Sequence, residues 1–146
     1  MKIAVGSDHA GYEGEKPYKP AIINHVDARG HEVIDCGTSG PEPVDYPDLA
    51  KCVADAVCAG RADMGILVCG TGIGMAIAAN RLAGVRAATC ANRDMARLAR
   101  EHNDANVLCL GRRILTLDTC IELIDVFLDT PFSNAERHKY RVAKLG

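Results

Sequence analysis

Residues 64–74 read Met-Gly-Ile-Leu-Val-Cys-Gly-Thr-Gly-Ile-Gly, and this stretch is the clearest indication of the fold class. The first half, Met64–Cys69, is apolar without alternation, which is typical of a strand buried on both faces of a parallel sheet. The second half carries glycines at alternate positions and leads into a helical run, Met-Ala-Ile-Ala-Ala. A buried strand, a glycine turn and a helix in this order form one unit of an α/β fold.

Short apolar runs and helix-length segments alternate on both sides of this unit. The pattern predicts further strands at 2–6, 32–36, 86–90 and 107–110. It predicts helices at 48–59, 74–82, 94–102, 117–128 and 134–145. Pro17 and Pro20 interrupt the first crossover, whose regular helix should start near Pro20. Helical crossovers between strands predict a parallel sheet covered on both faces, with ligands at the carboxyl ends of the strands.

Composition restricts the class of protein. The chain has 146 residues, is 48% hydrophobic and carries a net charge of −2. This size suits a single domain over residues 1–146, and the weak charge argues against nucleic acid or anionic lipid as a partner. No apolar run approaches the roughly 18 residues that cross a membrane. The N-terminus reads as a strand rather than a signal peptide, so we expect a cytoplasmic protein.

The cysteines are expected to be free thiols. There are seven, at positions 36, 52, 58, 69, 90, 109 and 120. They show neither a C-x-x-C pair nor a Cys/His zinc spacing, so no metal is predicted. A free cysteine in an apolar stretch is by default a core residue. Cys69 differs because it ends a central strand and immediately precedes the glycine turn.

Gly70, Gly72 and Gly74 let the backbone turn sharply and bring N–H groups close to a ligand. With a helix N-terminus behind them, they form an anion-binding loop that suits a phosphate or an oxyanion. A helix N-terminus also favours a thiolate, which would act as a nucleophile or as a base beside a carbonyl. The loop is not a dinucleotide fingerprint, since Met75 and Ile77 stand where the third glycine is needed, and no lysine completes a P-loop. A purely structural turn remains open.

Three further clusters carry chemistry. Asp8 and His9 follow the first strand and suit a polar ligand, or an Asx-type turn with an exposed histidine. His102 lies near a helix end, where it would shuttle protons or cap the helix dipole. Arginines suited to phosphate, or to a solvated basic face, stand at 112, 113, 137 and 141.

Together these stretches resemble the ribose-5-phosphate isomerase B family, which also includes allose- and galactose-6-phosphate isomerases. The matching stretches are Gly-Ser-Asp-His-Ala-Gly (6–11), Asp-Tyr-Pro (45–47), Cys-Gly-Thr-Gly-Ile-Gly (69–74), Ala-Ala-Asn-Arg (78–81), Arg-Glu-His-Asn-Asp-Ala-Asn (100–106) and Glu-Arg-His-Lys-Tyr-Arg-Val (136–142). The resemblance implies a Rossmann-like three-layer αβα sandwich with a five-stranded parallel sheet in the order 2-1-3-4-5. It implies a homodimer, or a dimer of dimers, with active sites at the subunit interface and neither metal nor cofactor.

The resemblance also implies the roles of single residues. His102 would open the sugar ring near Asp8, and Cys69 would move the proton between C2 and C1 through an enediolate. The amides of Gly70, Gly72 and Gly74, with the Thr71 hydroxyl and Asn103, would hold the oxyanion. The implied phosphate ligands are His9, Arg113, Arg137 and Arg141. Tyr46 would line the sugar site.

Two positions depart from the family pattern or distinguish its branches. One branch lacks the cysteine and places a glutamate just after the glycine loop. Met75 stands there in this chain, which supports Cys69 as the base. The segment 13–20, interrupted by prolines, departs from the pattern and backs the Asp8–His9 loop.

The sequence therefore predicts an aldose–ketose isomerase of ribose 5-phosphate and ribulose 5-phosphate. The same chemistry on allose 6-phosphate or another hexose phosphate is the nearest alternative, since one extra carbon is worth only about 1–3 kcal/mol of discrimination. A non-catalytic module that binds a sugar phosphate or nucleotide remains open, because fold does not fix function. A thiol redox sensor at Cys69 is weaker, since no resolving cysteine lies close in sequence.

Overall fold

The computed structural model describes residues 1–146 as a five-stranded parallel sheet with helices on both faces. The strands are β1 (Lys2–Ser7), β2 (Glu32–Asp35), β3 (Met64–Cys69), β4 (Ala87–Thr89) and β5 (Val107–Gly111). The helices are α1 (Tyr18–Ala28), α2 (Tyr46–Cys58), α3 (Ile73–Ala79), α4 (Arg93–Asn103), α5 (Leu117–Asp129) and α6 (Glu136–Ala143). A 3₁₀ turn, His9–Tyr12, follows β1. The predicted three-layer α/β fold is confirmed.

The strand order is 2-1-3-5-4, so the predicted order 2-1-3-4-5 is wrong in its last two places. Every residue of β5 is buried, whereas the three residues of β4 are only half-buried. A fully buried strand needs neighbours on both sides, and a short half-buried strand suits an edge. β5 therefore lies between β3 and β4, beside the strand that carries Cys69.

The strand order also decides which face each helix covers. Right-handed crossovers that reverse direction along the sheet must pass over the opposite face. The chain moves outward from β3 to β4 and returns from β4 to β5, so α3 and α4 lie on opposite faces. The apolar side chains of α1, α4 and α5 pack together on one face, including Ile22, Ala96 and Phe127. Those of α2 and α3 form the second core, with Val53 and Met75.

Two helices begin earlier than predicted, and prolines explain both. α1 begins at Tyr18 with Pro17 as its N-cap, so Pro20 falls in the first turn, where backbone N–H groups have no intrahelical partner. α2 begins at Tyr46, with a proline in its first turn, and this places Tyr46 at the carboxyl edge of the sheet. None of the helices combines the length and the apolarity that spanning a membrane requires.

Candidate active site

The carboxyl ends of β1, β3 and β5 open into a cleft of about 470 Å³. Its lining residues come from the loops after these strands and from the starts of α2 and α3: Asp8, Tyr46, Cys69, Gly70, Thr71, Ile73, Gly74, Ile77 and Arg113. The structure thus brings together seven of the residues predicted from sequence to form a site. This is the position expected for a ligand in an open parallel sheet.

Cys69 lies at the floor of the cleft with 5% of its surface exposed. The backbone N–H of Gly72 donates to its sulfur at an N···S distance of 3.1 Å. The hydroxyl oxygen of Thr71 accepts from the N–H of Ile73 at 3.2 Å. Gly72 was predicted to hold an oxyanion, but its N–H is engaged by the sulfur. The N–H groups of Gly70 and Thr71 have no acceptor within the chain and remain free for a ligand.

Glycines hold this loop against β5. Gly72 has a φ of 82°, and a Cβ there would lie 3.1 Å from the carbonyl carbon of Leu110. A Cβ on Gly111 would lie 2.7 Å from the carbonyl oxygen of Thr71. Because both close approaches are to backbone atoms, a side chain at either position would push the loop off the strand. The hydroxyl of Thr89 also donates to the carbonyl of Gly72 at 3.2 Å.

The other cysteines do not line the cleft. Burial raises the pKa of Cys90 and of Cys120 to about 11, and that of Cys36 to about 12. Burial also raises the pKa of Cys109 well above its usual value. These four are neutral thiols near pH 7, as core cysteines should be. Cys52 and Cys58 are exposed on α2. Cys69 is the only cysteine at the cleft.

Asp8 and Tyr46 line the cleft, and the predicted phosphate ligand His9 follows Asp8 without lining it. A carboxylate oxygen of Asp8 accepts from the N–H of Ala10 at 2.9 Å, so the Asx-type turn is present and Asp8 still lines the cleft. His9 is half-buried, and its Nδ1 lies 3.3 Å from the N–H nitrogen of Val44. The ring of Tyr46 covers Gly74, where a Cβ would lie 2.8 Å from the ring. A glycine is therefore needed at 74 for Tyr46 to reach the loop.

Arg113 also lines the cleft. Its backbone N–H donates to the carbonyl of Gly70 at 2.9 Å, and its guanidinium lies over that glycine. The guanidinium donates through Nε and Nη2 to the two carboxylate oxygens of Glu13. The hydrogen bond from Arg113 is the main cause that holds the pKa of Glu13 below its usual value. Sequence reasoning missed Glu13, which stands two residues beyond the motif 6–11 and belongs to no motif itself.

The remaining predicted residues lie apart from the cleft, at the junction of α4 and α6. His102 is in the last turn of α4, and its ring centre lies 4.3 Å from that of His138. Arg137 and Arg141 flank His138 on α6. Asn103 lines a different cavity beside the start of β4. None of these predicted residues lines the cleft that holds Cys69 within the same chain.

His138 is the residue at this junction that sequence reasoning left without a role. It is buried, and its Nδ1 lies 2.6 Å from the hydroxyl of Ser133. Burial lowers the pKa of His138, and the positive charges of His102, Arg137 and Arg141 lower it further. His138 therefore packs as a neutral ring between the two arginines and His102. Its place inside the motif 136–142 was the available signal.

Fold and site together define a class. The chain is a doubly wound α/β protein whose cleft combines a thiol, a glycine loop with free N–H groups, a carboxylate and an arginine. It belongs to the ribose/galactose isomerase family, whose model matches residues 3–145.

Individual relatives agree with this assignment. The ribose-5-phosphate isomerase B of Escherichia coli is 45% identical over 144 residues, which cover 99% of this chain and 93% of that protein. The structure is similar to that of Clostridium thermocellum ribose-5-phosphate isomerase B, with a TM-score of 0.95, 51% identity, and coverage of 100% and 95% of the two chains. The type B enzyme of Trypanosoma brucei gives a TM-score of 0.93 at 46% identity, with coverage of 99% and 95%. The predicted family and the predicted class of aldose–ketose isomerase are confirmed.

Proposed function

We propose that this chain interconverts ribose 5-phosphate and ribulose 5-phosphate as a single domain, without metal or cofactor. The observation that carries the proposal is the position of Cys69: one thiol, fixed by an N–H donor, at the floor of a cleft with free loop amides and an arginine. The names of relatives that match nearly the full chain support the substrate.

Cys69 is the base in this proposal. An aldose becomes a ketose when the proton on C2 moves to C1, the hydroxyl proton on O2 moves to O1, and the carbonyl moves from C1 to C2. The sulfur of Cys69 takes the C2 proton, giving an enediolate, and returns a proton to C1. The N–H of Gly72 favours the anionic acceptor, because hydrogen bonds to an ionised partner are the stronger ones.

The enediolate needs donors at its oxygen atoms. The free N–H groups of Gly70 and Thr71 supply them, together with the hydroxyl of Thr71. Preorganised donors of this kind stabilise the charge that develops in the transition state. The ring of Tyr46 and the carboxylate of Asp8 also line the cleft, where they would contact the sugar hydroxyls. In this proposal, one chain therefore supplies all the groups that the proton transfer between C2 and C1 requires.

Ring opening and part of the phosphate site come from a second copy of the chain in this proposal. His102, Asn103, Arg137 and Arg141 do not line the cleft of their own chain. The residues that line the cleft include Ile73 and Ile77 of α3, which are 56% and 63% exposed. A two-fold homodimer would cover these apolar side chains. It would bring His102 and the arginines of one subunit to the Cys69 of the other.

A cytoplasmic location belongs to the same proposal. All seven cysteines are free, as expected for a protein kept in a reducing compartment.

The substrate is tested by direct turnover. Ribose 5-phosphate and allose 6-phosphate are incubated separately with the protein and a chelator, and ketose formation is followed. We expect turnover of ribose 5-phosphate, with a higher kcat/KM than for allose 6-phosphate. Turnover of neither sugar would refute the proposed reaction, and a preference for the hexose would move the assignment to the six-carbon substrate.

The shared site is tested by complementation. Cys69→Ala and His102→Ala are each expected to be inactive alone. In a mixture allowed to exchange subunits, half of the dimers are hybrids, and each hybrid has one native site in two, so about a quarter of the parent activity should return. If Cys69 and His102 served the same site from one chain, mixing would restore nothing.

A further inference from the structure

Glu13 is held by two consecutive arginines. Its main-chain carbonyl accepts from Nη2 of Arg112 at 3.0 Å, and its carboxylate accepts from Nε and Nη2 of Arg113. Arg112 is itself fixed, with its guanidinium carbon 4.1 Å from the centre of the Tyr18 ring. The next residue, Gly14, has a φ of 75°, and a Cβ there would lie 2.8 Å from Nη2 of Arg112. The backbone at residues 13–14 thus packs closely against the Arg112 side chain, and this places the Glu13 carboxylate next to Arg113.

This contact uses the donors that a phosphate needs. A guanidinium binds a carboxylate or a phosphate with two parallel N–H groups. Glu13 takes Nε and Nη2 of Arg113, while Nη1 lies beside Gly70. Because Arg113 holds the pKa of Glu13 below its usual value, Glu13 is ionised at neutral pH and protonation does not release the arginine. At neutral pH the arginine is therefore freed by spontaneous opening of the ion pair, and a competing anion can then hold it.

We propose that Glu13 is an internal competitor for the phosphate group of the substrate, and that its carboxylate must leave Arg113 before both arms of that guanidinium can hold the phosphate. This inference rests on the proposed function, because it takes a sugar phosphate as the ligand of the cleft. Glu13 is then a residue that sets affinity without touching the reacting carbons.

The expected loss of phosphate affinity caused by Glu13 follows from the solvent exposure of the Arg113 and Glu13 side chains. The side chains of Arg113 and Glu13 are 59% and 36% exposed, so their ion pair is weak and opens readily. If the pair is closed in most molecules, the apparent affinity for phosphate falls by the fraction that is open. An open fraction of about one in three to one in ten gives a three- to tenfold weaker apparent affinity.

The test compares Glu13→Gln with Glu15→Gln. Both changes remove one negative charge from the same loop, but Glu15 forms no ion pair. Inorganic phosphate is titrated calorimetrically, and KM and kcat are measured with ribose 5-phosphate. We expect Glu13→Gln to lower the phosphate Kd and the KM about three- to tenfold with kcat unchanged. Glu15→Gln should change both by less than about 1.5-fold.

A double variant gives the decisive check. In an Arg113→Met background, Glu13→Gln should have no effect on phosphate affinity, since the arginine for which the anions compete is absent. Glu13→Ser serves as a second variant in case the glutamine keeps a hydrogen bond to Arg113.

Three results would overturn the proposal: an unchanged or weaker phosphate affinity in both Glu13 variants, an equal gain in Glu15→Gln, or a gain that persists without Arg113. The phosphate titration needs no turnover. A chain that binds phosphate more tightly as Glu13→Gln but does not isomerise ribose 5-phosphate would refute the proposed function and leave the role of Glu13 standing. A chain that isomerises ribose 5-phosphate but shows no effect of the Glu13 variants would refute the role of Glu13 and leave the proposed function standing.

Discussion

Replacing Gly72 by alanine should lower both the stability of the fold and the activity of the cleft. This glycine packs against the backbone of β5 and donates its N–H to the sulfur of Cys69. Its φ of 82° disfavours any side chain, at a cost of about 1–2 kcal/mol. The new Cβ would also lie 3.1 Å and 3.2 Å from backbone carbons of Leu110 and Cys109. Overpacking against a buried strand adds about 1–3 kcal/mol.

Gly60→Ala is the matched control. Gly60 also has a positive φ, of 68°, but a Cβ there would meet nothing within 4 Å. Both alanines restrict the unfolded chain equally, so that contribution cancels in the comparison. The control should cost only the strain, about 1–2 kcal/mol, whereas Gly72→Ala should cost about 2–5 kcal/mol.

Thermal unfolding at one fixed protein concentration measures the difference. For a chain of this size, 1 kcal/mol lowers Tm by about 2–4 °C, so the extra cost of about 1–3 kcal/mol should make Gly72→Ala melt about 2–12 °C below Gly60→Ala. Its kcat for ribose 5-phosphate should fall about 100-fold, since the loop amides and the sulfur move together. Equal Tm losses in the two variants, or a Gly72→Ala enzyme within twofold of the parent kcat, would refute this reasoning.

Three further predictions concern other parts of the molecule. Arg100 is buried and donates to Asp104, to the carbonyl of Ala105 and to that of Thr130, so Arg100→Met should lower the free energy of unfolding in urea by about 2–4 kcal/mol. The control Arg97→Met breaks only exposed ion pairs on the same helix and should cost under about 0.5 kcal/mol. Similar losses in the two variants would contradict the structure. Ellman's reagent should label Cys52 and Cys58 first in the native protein, and Cys90, Cys109 and Cys120 only after denaturation, with mass spectrometry reading the sites. His138 has a folded pKa below its ordinary 6.5, so the unfolded chain binds more protons and the free energy of unfolding should fall as pH drops below that value. This slope should be shallower in His138→Gln, and an identical slope would show that His138 does not titrate this way.

The sequence was most informative where one pattern had one structural solution. The unbroken apolar run Met64–Cys69 required a strand buried on both faces, and the structure gives that strand the predicted bounds. The glycines after it predicted a sharp turn with N–H groups available to a ligand, and the structure has a turn at Gly72 with a φ of 82° and free N–H groups on Gly70 and Thr71. Periodicity and backbone sterics act locally, so they can be read from a single sequence.

Strand order and side-chain partners could not be predicted from the sequence, because they depend on residues far apart in the chain. Nothing in 86–90 or 107–110 taken separately says which run is the edge, and only their relative burial in the fold decides it. Glu13 reaches Arg113 across a separation of 100 residues, through a loop whose path depends on Gly14 and Arg112. The position of His102 away from the cleft is likewise set by the face on which α4 crosses.

The most direct test of the role of Cys69 is proton transfer in deuterated water. Ribose 5-phosphate is incubated with the parent, with Cys69→Ala and with Cys109→Ala, whose buried sulfur lies on the neighbouring strand and is held as a neutral thiol by its raised pKa. The parent and Cys109→Ala should form ketose carrying deuterium at C1 and should exchange C2 of the recovered aldose. Cys69→Ala should do neither, with native circular dichroism retained. Isomerisation and exchange at the parent rate in Cys69→Ala would contradict the proposal that this cysteine moves the proton.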